Sequence, residues 1–135
     1  RVAFGSNDAQ TIRAFVEAEA YDGPSLILAY SHCIAHGYDL RLGLSQQPAA
    51  VTSGYWPLYR YNPERAEQGL NPFQLDSRPP KTSLKDYMYK EGRFEMLRKS
   101  HPDRAAKLLE LAQADVDSRW EAYSKLAGVG GNGKV

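Results

Sequence analysis

The first thirty residues place apolar positions in the order expected of a strand, a helix and a second strand. Residues 2–5 form a short apolar run, and Asn7 can then cap a helix, with Gln10 three residues later as in a capping box. Apolar side chains recur through this helix at intervals of three and four residues: Ile12, Phe15, Val16 and Ala20. Residues 25–30 read SLILAY without alternation, which predicts a strand covered on both faces.

This order predicts a βαβ unit and therefore an α/β fold class. The helix that joins the two parallel strands is expected to cross over right-handed, as it does in nearly all proteins. A parallel sheet of two strands is not stable alone, and few further strands are predicted in the rest of the sequence. We therefore expect the chain to be a piece of a longer polypeptide whose other strands extend this sheet.

Turn and helix signals dominate the middle of the sequence. Residues 46–54 favour a short helix with Pro48 near its first turn. The aromatic run YWPLYRYNP, residues 55–63, is typical of a strand, and FQLDS, residues 73–77, predicts the second arm of an irregular hairpin. The aromatic run is interpreted as a half-buried hairpin, with stacking on a base or on coenzyme A as the alternative.

The C-terminal third predicts helices. Ser83 is expected to cap one that continues to about Met96 with a break near Gly92, and Ser100 to cap the last one, which Gly128 ends. One apolar stripe runs along that last helix: Ala105, Leu108, Leu109, Ala112, Val116, Trp120 and Tyr123. The Arg and Lys residues between 90 and 107 indicate a solvated helix face, with docking of a protein partner as the alternative.

Charge and cysteine content narrow the function classes. The 135 residues carry 17 basic and 16 acidic side chains, a net charge of +1, which favours neither a nucleic acid nor an anionic membrane as a partner. The apolar runs are far shorter than the ~20 residues of a membrane span. One cysteine cannot form an internal disulfide and no signal peptide is recognised, so we expect a reducing, cytoplasmic setting.

The cysteine, Cys33, lies in AYSHCIAHG, just past the predicted second strand. Loops at the carboxyl ends of parallel strands commonly bind ligands, so Cys33 is a candidate metal ligand or redox thiol, although a free cysteine is often only a packed small side chain. His32 and His36 are spaced as zinc ligands can be, but the segment lacks the glutamate of H-E-x-x-H. A [4Fe–4S] cluster usually takes four thiolates, so three would have to come from elsewhere.

Three segments carry a specific resemblance: EAEAYDGPSLILAYSHCIAHG, SGYWPLYRYNP and NPFQLDS, in this order. They closely resemble the C-terminal part of the single-chain, thiamine diphosphate-dependent pyruvate:ferredoxin (flavodoxin) oxidoreductases. The resemblance implies that residues 1–54 are the C-terminal end of a thiamine-binding parallel-sheet domain with a cluster-ligand loop. Residues 55–127 would form an aromatic hairpin and a helical extension, and residues 128–135 a flexible tail.

The resemblance also implies a function. This family oxidatively decarboxylates pyruvate with coenzyme A to acetyl-CoA and CO2, and passes electrons through [4Fe–4S] clusters to ferredoxin or flavodoxin. By the motif match, Cys33 would be one ligand of the cluster nearest the thiamine. Thiamine diphosphate and Mg2+ would be bound mainly outside this segment, in an enzyme expected to be a homodimer. The alternative is a non-catalytic interaction module in which Cys33 is packed or zinc-bound.

Overall fold

The computed structural model describes residues 1–128, and its first elements are the predicted strand, helix and strand. Strand β1 (Val2–Ala3) and strand β2 (Ala29–Tyr30) are parallel, with Val2 opposite Ala29 and Ala3 opposite Tyr30. Helix α1 (Asp8–Ala20) joins them. Asn7 caps this helix as predicted, because its side-chain oxygen accepts a hydrogen bond from the Gln10 amide at 3.0 Å. The βαβ order is therefore confirmed.

The predicted burial of this unit is wrong within residues 1–128. Strand β2 has two residues rather than six, and in the sheet described it has β1 as its one neighbour. Leu26 is 82% exposed, and the stripe of α1 is exposed as well, with Phe15 at 53%. Gln10 and Ala14 are the buried positions of α1 instead. The described residues therefore do not cover the apolar side chains that the sequence pattern predicts to be buried.

The segment after β2 makes two 3-10 turns, Ile34–His36 and Leu40–Leu42, before helix α2 (Gly43–Thr52). The Asp39 carboxylate accepts a hydrogen bond from the Arg41 amide at 3.0 Å, which begins the second turn, and the chain continues from it into α2. Pro48 is therefore inside the helix and not near its first turn, which corrects the sequence prediction. Its missing N–H leaves one helical hydrogen bond unmade.

The predicted irregular hairpin is confirmed. Strand β3 (Tyr59–Tyr61) pairs antiparallel with strand β4 (Phe73–Leu75), and the excursion between them holds the short helix α3 (Glu64–Glu67). The hairpin joins the front of the molecule, because the Tyr59 amide donates a hydrogen bond to the carbonyl oxygen of Arg1. The indole N–H of Trp56 donates to the carbonyl oxygen of Val2 at 2.9 Å.

Three helices complete the described chain: α4 (Leu84–Met88), α5 (Gly92–Ser100) and α6 (Pro102–Leu126). The break predicted near Gly92 is confirmed, whereas the cap predicted at Ser100 is wrong. Ser100 ends α5 and its hydroxyl donates to the Met96 carbonyl, while α6 begins at Pro102, whose fixed φ suits a first helical position. Gly128, at φ 70°, ends the last helix as predicted.

The core lies where α2, α4 and α6 meet. Its buried members are Ala50, Leu84, Tyr87 and Val116, and the aromatic rings of Tyr30, Tyr55 and Trp56 pack against them. The fold is thus α/β in class, mostly helical, with one small parallel and one small antiparallel sheet. Residues 129–135, most of the tail predicted to be flexible, lie outside the described residues. None of the helices described is long and apolar enough to cross a membrane.

Candidate functional site

Cys33 lies on the surface, between the end of β2 and the first 3-10 turn. Its backbone is extended, and its sulfur accepts a hydrogen bond from the Ala35 amide at 3.4 Å. Such an N–H···S hydrogen bond orients the sulfur, and bonds of this kind tune sulfur ligands of metals. The thiol is therefore available to a partner outside the described residues, which is inconsistent with a Cys33 packed in the core.

The two histidines beside Cys33 have other contacts. The ring of His32 lies against Phe4, with ring centroids 5.6 Å apart, and the ring of His36 stacks on Tyr30 at 5.8 Å. Across residues 1–128, no group of three His, Cys, Asp or Glu side chains is arranged to hold a metal ion. The loop therefore offers a single thiol, and the described residues do not assemble the alternative zinc site.

Close packing fixes His32 at the start of the loop. A Cβ atom at Gly43 would lie 2.9 Å from the His32 ring, so only glycine fits there without a shift. The fully buried amide of Gln47, oriented to satisfy both neighbours, donates to the Tyr30 carbonyl oxygen and accepts from the His32 amide. The backbone that leads into Cys33 is thus held by α2.

The other end of the loop is held by α5. Gly37 has a φ of 75°, in the left-handed region that favours glycine, and its carbonyl oxygen accepts a hydrogen bond from the Gly92 amide at 3.2 Å. Burial, and then the positive charge of Arg93, lower the pKa of His36 below its usual value. His36 is therefore neutral at neutral pH and keeps its stacking contact with Tyr30 uncharged.

A buried polar network lies between the loop and α5, and sequence reasoning missed it. Arg93 donates to the Glu91 carboxylate at 2.6 Å and to the Tyr30 hydroxyl at 3.0 Å, and the Tyr30 and Tyr87 hydroxyls are hydrogen-bonded at 2.7 Å. Gln46 donates to the other oxygen of Glu91 at 3.1 Å. Burial alone would lower the pKa of Arg93, but the hydrogen bond to Glu91 raises it, so the guanidinium stays charged.

A second buried ion network joins α1 to the hairpin. Arg60 donates to both oxygens of Asp76, at 2.9 and 2.8 Å, and also contacts Glu17, while the Gln10 side chain donates to Asp76 at 3.0 Å. Because it binds Asp76, Gln10 does not close the predicted capping box. A cavity of about 310 Å³ beside Arg60 lies between the C-terminal half of α1 and the hairpin. Asp76 and Glu17 already neutralise Arg60, so Arg60 presents no free positive charge to a ligand in this cavity.

Comparison with known proteins adds the decisive observation. The chain is 60% identical over 126 residues to the pyruvate-flavodoxin oxidoreductase of Nostoc sp., an alignment that covers 93% of this chain and 10% of that protein. The chain is homologous to a segment of the pyruvate-flavodoxin oxidoreductases. The resemblance stated from three sequence motifs is thereby confirmed, although no family model matches the chain.

Two further relatives of this oxidoreductase segment differ in the electron acceptor that their names give. The pyruvate:ferredoxin oxidoreductase of Moorella thermoacetica is 47% identical over 93% of this chain and 11% of its own length. The mitochondrial pyruvate dehydrogenase [NADP(+)] of Euglena gracilis is 46% identical over 89% of this chain and 7% of its own length. The chain spans about a tenth of the length of the curated relatives it matches, so most of each relative has no counterpart in it.

Proposed function

We propose that this chain is part of an enzyme that oxidatively decarboxylates pyruvate with coenzyme A, giving acetyl-CoA and CO2. Electrons would leave through [4Fe–4S] clusters to ferredoxin or flavodoxin. The observation that carries the proposal is the 60% identity to a pyruvate-flavodoxin oxidoreductase over 93% of the chain. The segment alone is expected to be inactive, because the thiamine and Mg2+ motifs implied by the resemblance are not found in its sequence.

Within this enzyme, we assign Cys33 as one ligand of the cluster nearest the thiamine. The local chemistry fits, because the thiol is exposed and its sulfur already accepts the Ala35 N–H. When bound, a [4Fe–4S] cluster supplies one-electron transfer, and four thiolates usually hold it. Since this chain contains one cysteine, the other three ligands would come from the rest of the polypeptide.

The remaining assignments follow the same resemblance. Residues 1–54 would end the thiamine-binding parallel-sheet domain, and residues 55–127 would form its hairpin and helical extension. Thiamine diphosphate and Mg2+ would be held mainly by residues outside this segment, in a cytoplasmic homodimer. The exposed apolar residues of α1 and of the segment that leads into β2 support the first assignment, because an inner part of a larger sheet would carry such residues.

The first test is the iron content of the full-length oxidoreductase that carries this segment. Replacing Cys33 with Ala should lower the iron content by up to about four atoms per chain, since four thiolates usually hold a [4Fe–4S] cluster. Iron and acid-labile sulfide assays measure the loss, and electron paramagnetic resonance identifies which cluster signal disappears. Ser31→Ala, on the same exposed loop, is the matched control and should keep the full iron content.

The second test is the activity of that full-length protein. It should reduce flavodoxin or ferredoxin only when pyruvate and coenzyme A are both present, with acetyl-CoA and CO2 as products. Parallel assays with NADP+ as the acceptor separate this activity from the one named for the Euglena relative. Turnover that ignores coenzyme A, or a Cys33→Ala protein with an unchanged set of clusters, would contradict the respective part of the proposal.

A further inference from the structure

We propose that Glu91 and Arg93 are positioning residues for Cys33. Together with Gly92 they hold both ends of the loop that carries this cysteine, and we call residues 91–93 the clamp. The proposal rests on the function proposed above for Cys33, and it deepens that function by naming the residues that fix the sulfur in place.

The clamp holds the loop before Cys33 through Tyr30, the last residue of β2. The guanidinium of Arg93 donates to the Tyr30 hydroxyl at 3.0 Å, and this hydroxyl also bonds that of Tyr87 at 2.7 Å. The Tyr30 ring stacks on Trp56, with centroids 5.0 Å apart. Because the hydroxyl and the ring are both fixed, the point from which the chain departs toward Cys33 is fixed as well.

The clamp holds the loop after Cys33 through a direct backbone contact. The Gly92 amide donates to the Gly37 carbonyl oxygen at 3.2 Å. A Cβ atom on Gly92 would lie 2.8 Å from that oxygen, and one on Gly37 would lie 3.0 Å from the Gly92 Cα. The two segments thus approach so closely that a Cβ on either glycine would force its neighbour to shift.

Glu91 ties the clamp to the core. Its side chain is fully buried, and each carboxylate oxygen has a partner: Gln46 for one and Arg93 for the other. A buried ion pair adds little net stability against an apolar pair of the same volume, but it demands one geometry, because removing either partner leaves a buried charge unpaired. We infer that this pair is retained for the position that it imposes on Arg93 and Gly92.

A surface cysteine just before a 3-10 turn needs such support to act as a ligand. The contact that the structure gives the Cys33 sulfur is the local one from Ala35. A functional side chain has to be held within about 0.5 Å of its working position by residues that are themselves locked by packing and hydrogen bonds. The clamp supplies that locking on both sides of Cys33, from the N-terminal end of α5.

The test uses the full-length oxidoreductase with its clusters, and compares Glu91→Gln with Glu121→Gln. Glu121 is an exposed glutamate that pairs with Lys125 on α6, and it is therefore a matched control. In Glu91→Gln, amide hydrogen exchange in residues 31–37 should become at least about tenfold faster, because the partly buried guanidinium of Arg93 loses the carboxylate that holds it against Tyr30. The electron paramagnetic resonance signal of the cluster bound by Cys33 should broaden or shift while its iron is retained.

A second comparison separates positioning from general stability. Arg93→Gln removes the charge that pairs with Glu91. Arg93→Lys keeps the charge but loses the planar guanidinium, which donates to Glu91 and to the Tyr30 hydroxyl at the same time. The lysine variant should restore the exchange rate and the cluster signal part of the way toward the native values. Where Glu91→Gln does not fold, Tyr87→Phe removes one hydroxyl and should give a smaller change of the same sign.

Each outcome decides one proposal. If Cys33→Ala loses a cluster but Glu91→Gln, Arg93→Gln and Tyr87→Phe all leave the exchange and the cluster signal native, the clamp is overturned and the ligand assignment stands. If Cys33→Ala keeps every cluster, the ligand assignment is overturned. Faster exchange in the clamp variants would then show that the clamp holds the loop, but the proposal that it positions a cluster ligand would be overturned as well.

Discussion

The Arg60 guanidinium and the Asp76 carboxylate face each other across the base of the hairpin through two hydrogen bonds of 2.9 and 2.8 Å. Both side chains are nearly buried, with 8% and 12% exposed. Since Gln10 of α1 also donates to Asp76, the pair joins the βαβ unit to the hairpin. The junction of the two parts of the fold therefore contains a nearly buried ion pair beside its backbone hydrogen bonds.

Replacing Asp76 with Asn should loosen this junction. Breaking one partner of a buried ion pair costs about 3 kcal/mol, which corresponds to roughly a hundredfold loss of hydrogen-exchange protection in β3. Asp39→Asn is the control, because the Asp39–Arg41 pair is exposed, and it should leave β3 exchange unchanged. Native protection of β3 in the Asp76→Asn protein would show that the pair does not hold the hairpin.

The Arg60–Asp76 pair should make the stability of the junction fall at low pH. Burial by itself would raise the pKa of Asp76, but hydrogen bonds from Arg60 and Gln10 lower it below its usual value of 3.8. A carboxylate with a depressed pKa stabilises the folded state fully above the usual value, and this stabilisation is lost as the pH falls through the folded-state pKa. Protection of β3, corrected for intrinsic exchange, should therefore hold down to about pH 4 and fall below it. The Asp76→Asn protein should lack this step.

A comparison of Gly37 with Gly69 separates the effect of close packing against Gly92 from the effect of a left-handed backbone conformation. Both have a positive φ, 75° and 72°, but a Cβ at Gly37 would meet the backbone of Gly92, whereas a Cβ at Gly69 would meet nothing within 4 Å. Gly69→Ala should cost about 1 kcal/mol, the left-handed penalty alone. Gly37→Ala should cost clearly more and speed exchange across residues 31–37. Equal effects in both variants would mean that the loop does not press on Gly92.

Sequence patterns predicted the parts of the fold that depend on local chemistry. The cap at Asn7, the hairpin between residues 55 and 77 and the stop at Gly128 each follow from a few adjacent residues. The cap predicted at Ser100 from its spacing to Asp103 is wrong because the Ser100 hydroxyl donates back to the Met96 carbonyl oxygen. The sequence does not show whether such a serine side chain bonds to the helix before it or to the helix after it.

The candidate site was predictable only in part. The position of Cys33 after a strand marks it as a candidate, and its exposure is a property that the sequence does not give. The clamp was not predictable, because Tyr30, Gln46 and Glu91 lie in different segments and meet only through the tertiary fold. No spacing or periodicity connects residues that are brought together in this way.

The exposed apolar residues of the βαβ unit lead to the last prediction. Leu26 is 82% exposed and Ile12 63% exposed in the described residues, whereas the unalternated run SLILAY is typical of a strand covered on both faces. Because the chain spans about a tenth of its relatives, we expect other parts of the full-length protein to cover both side chains. Hydroxyl-radical footprinting of that protein should find Leu26 and Ile12 protected, in contrast to the isolated segment, where Leu26 should react readily. Equal reactivity of Leu26 in both forms would mean that this surface stays open, and that residues 1–54 do not complete a larger sheet.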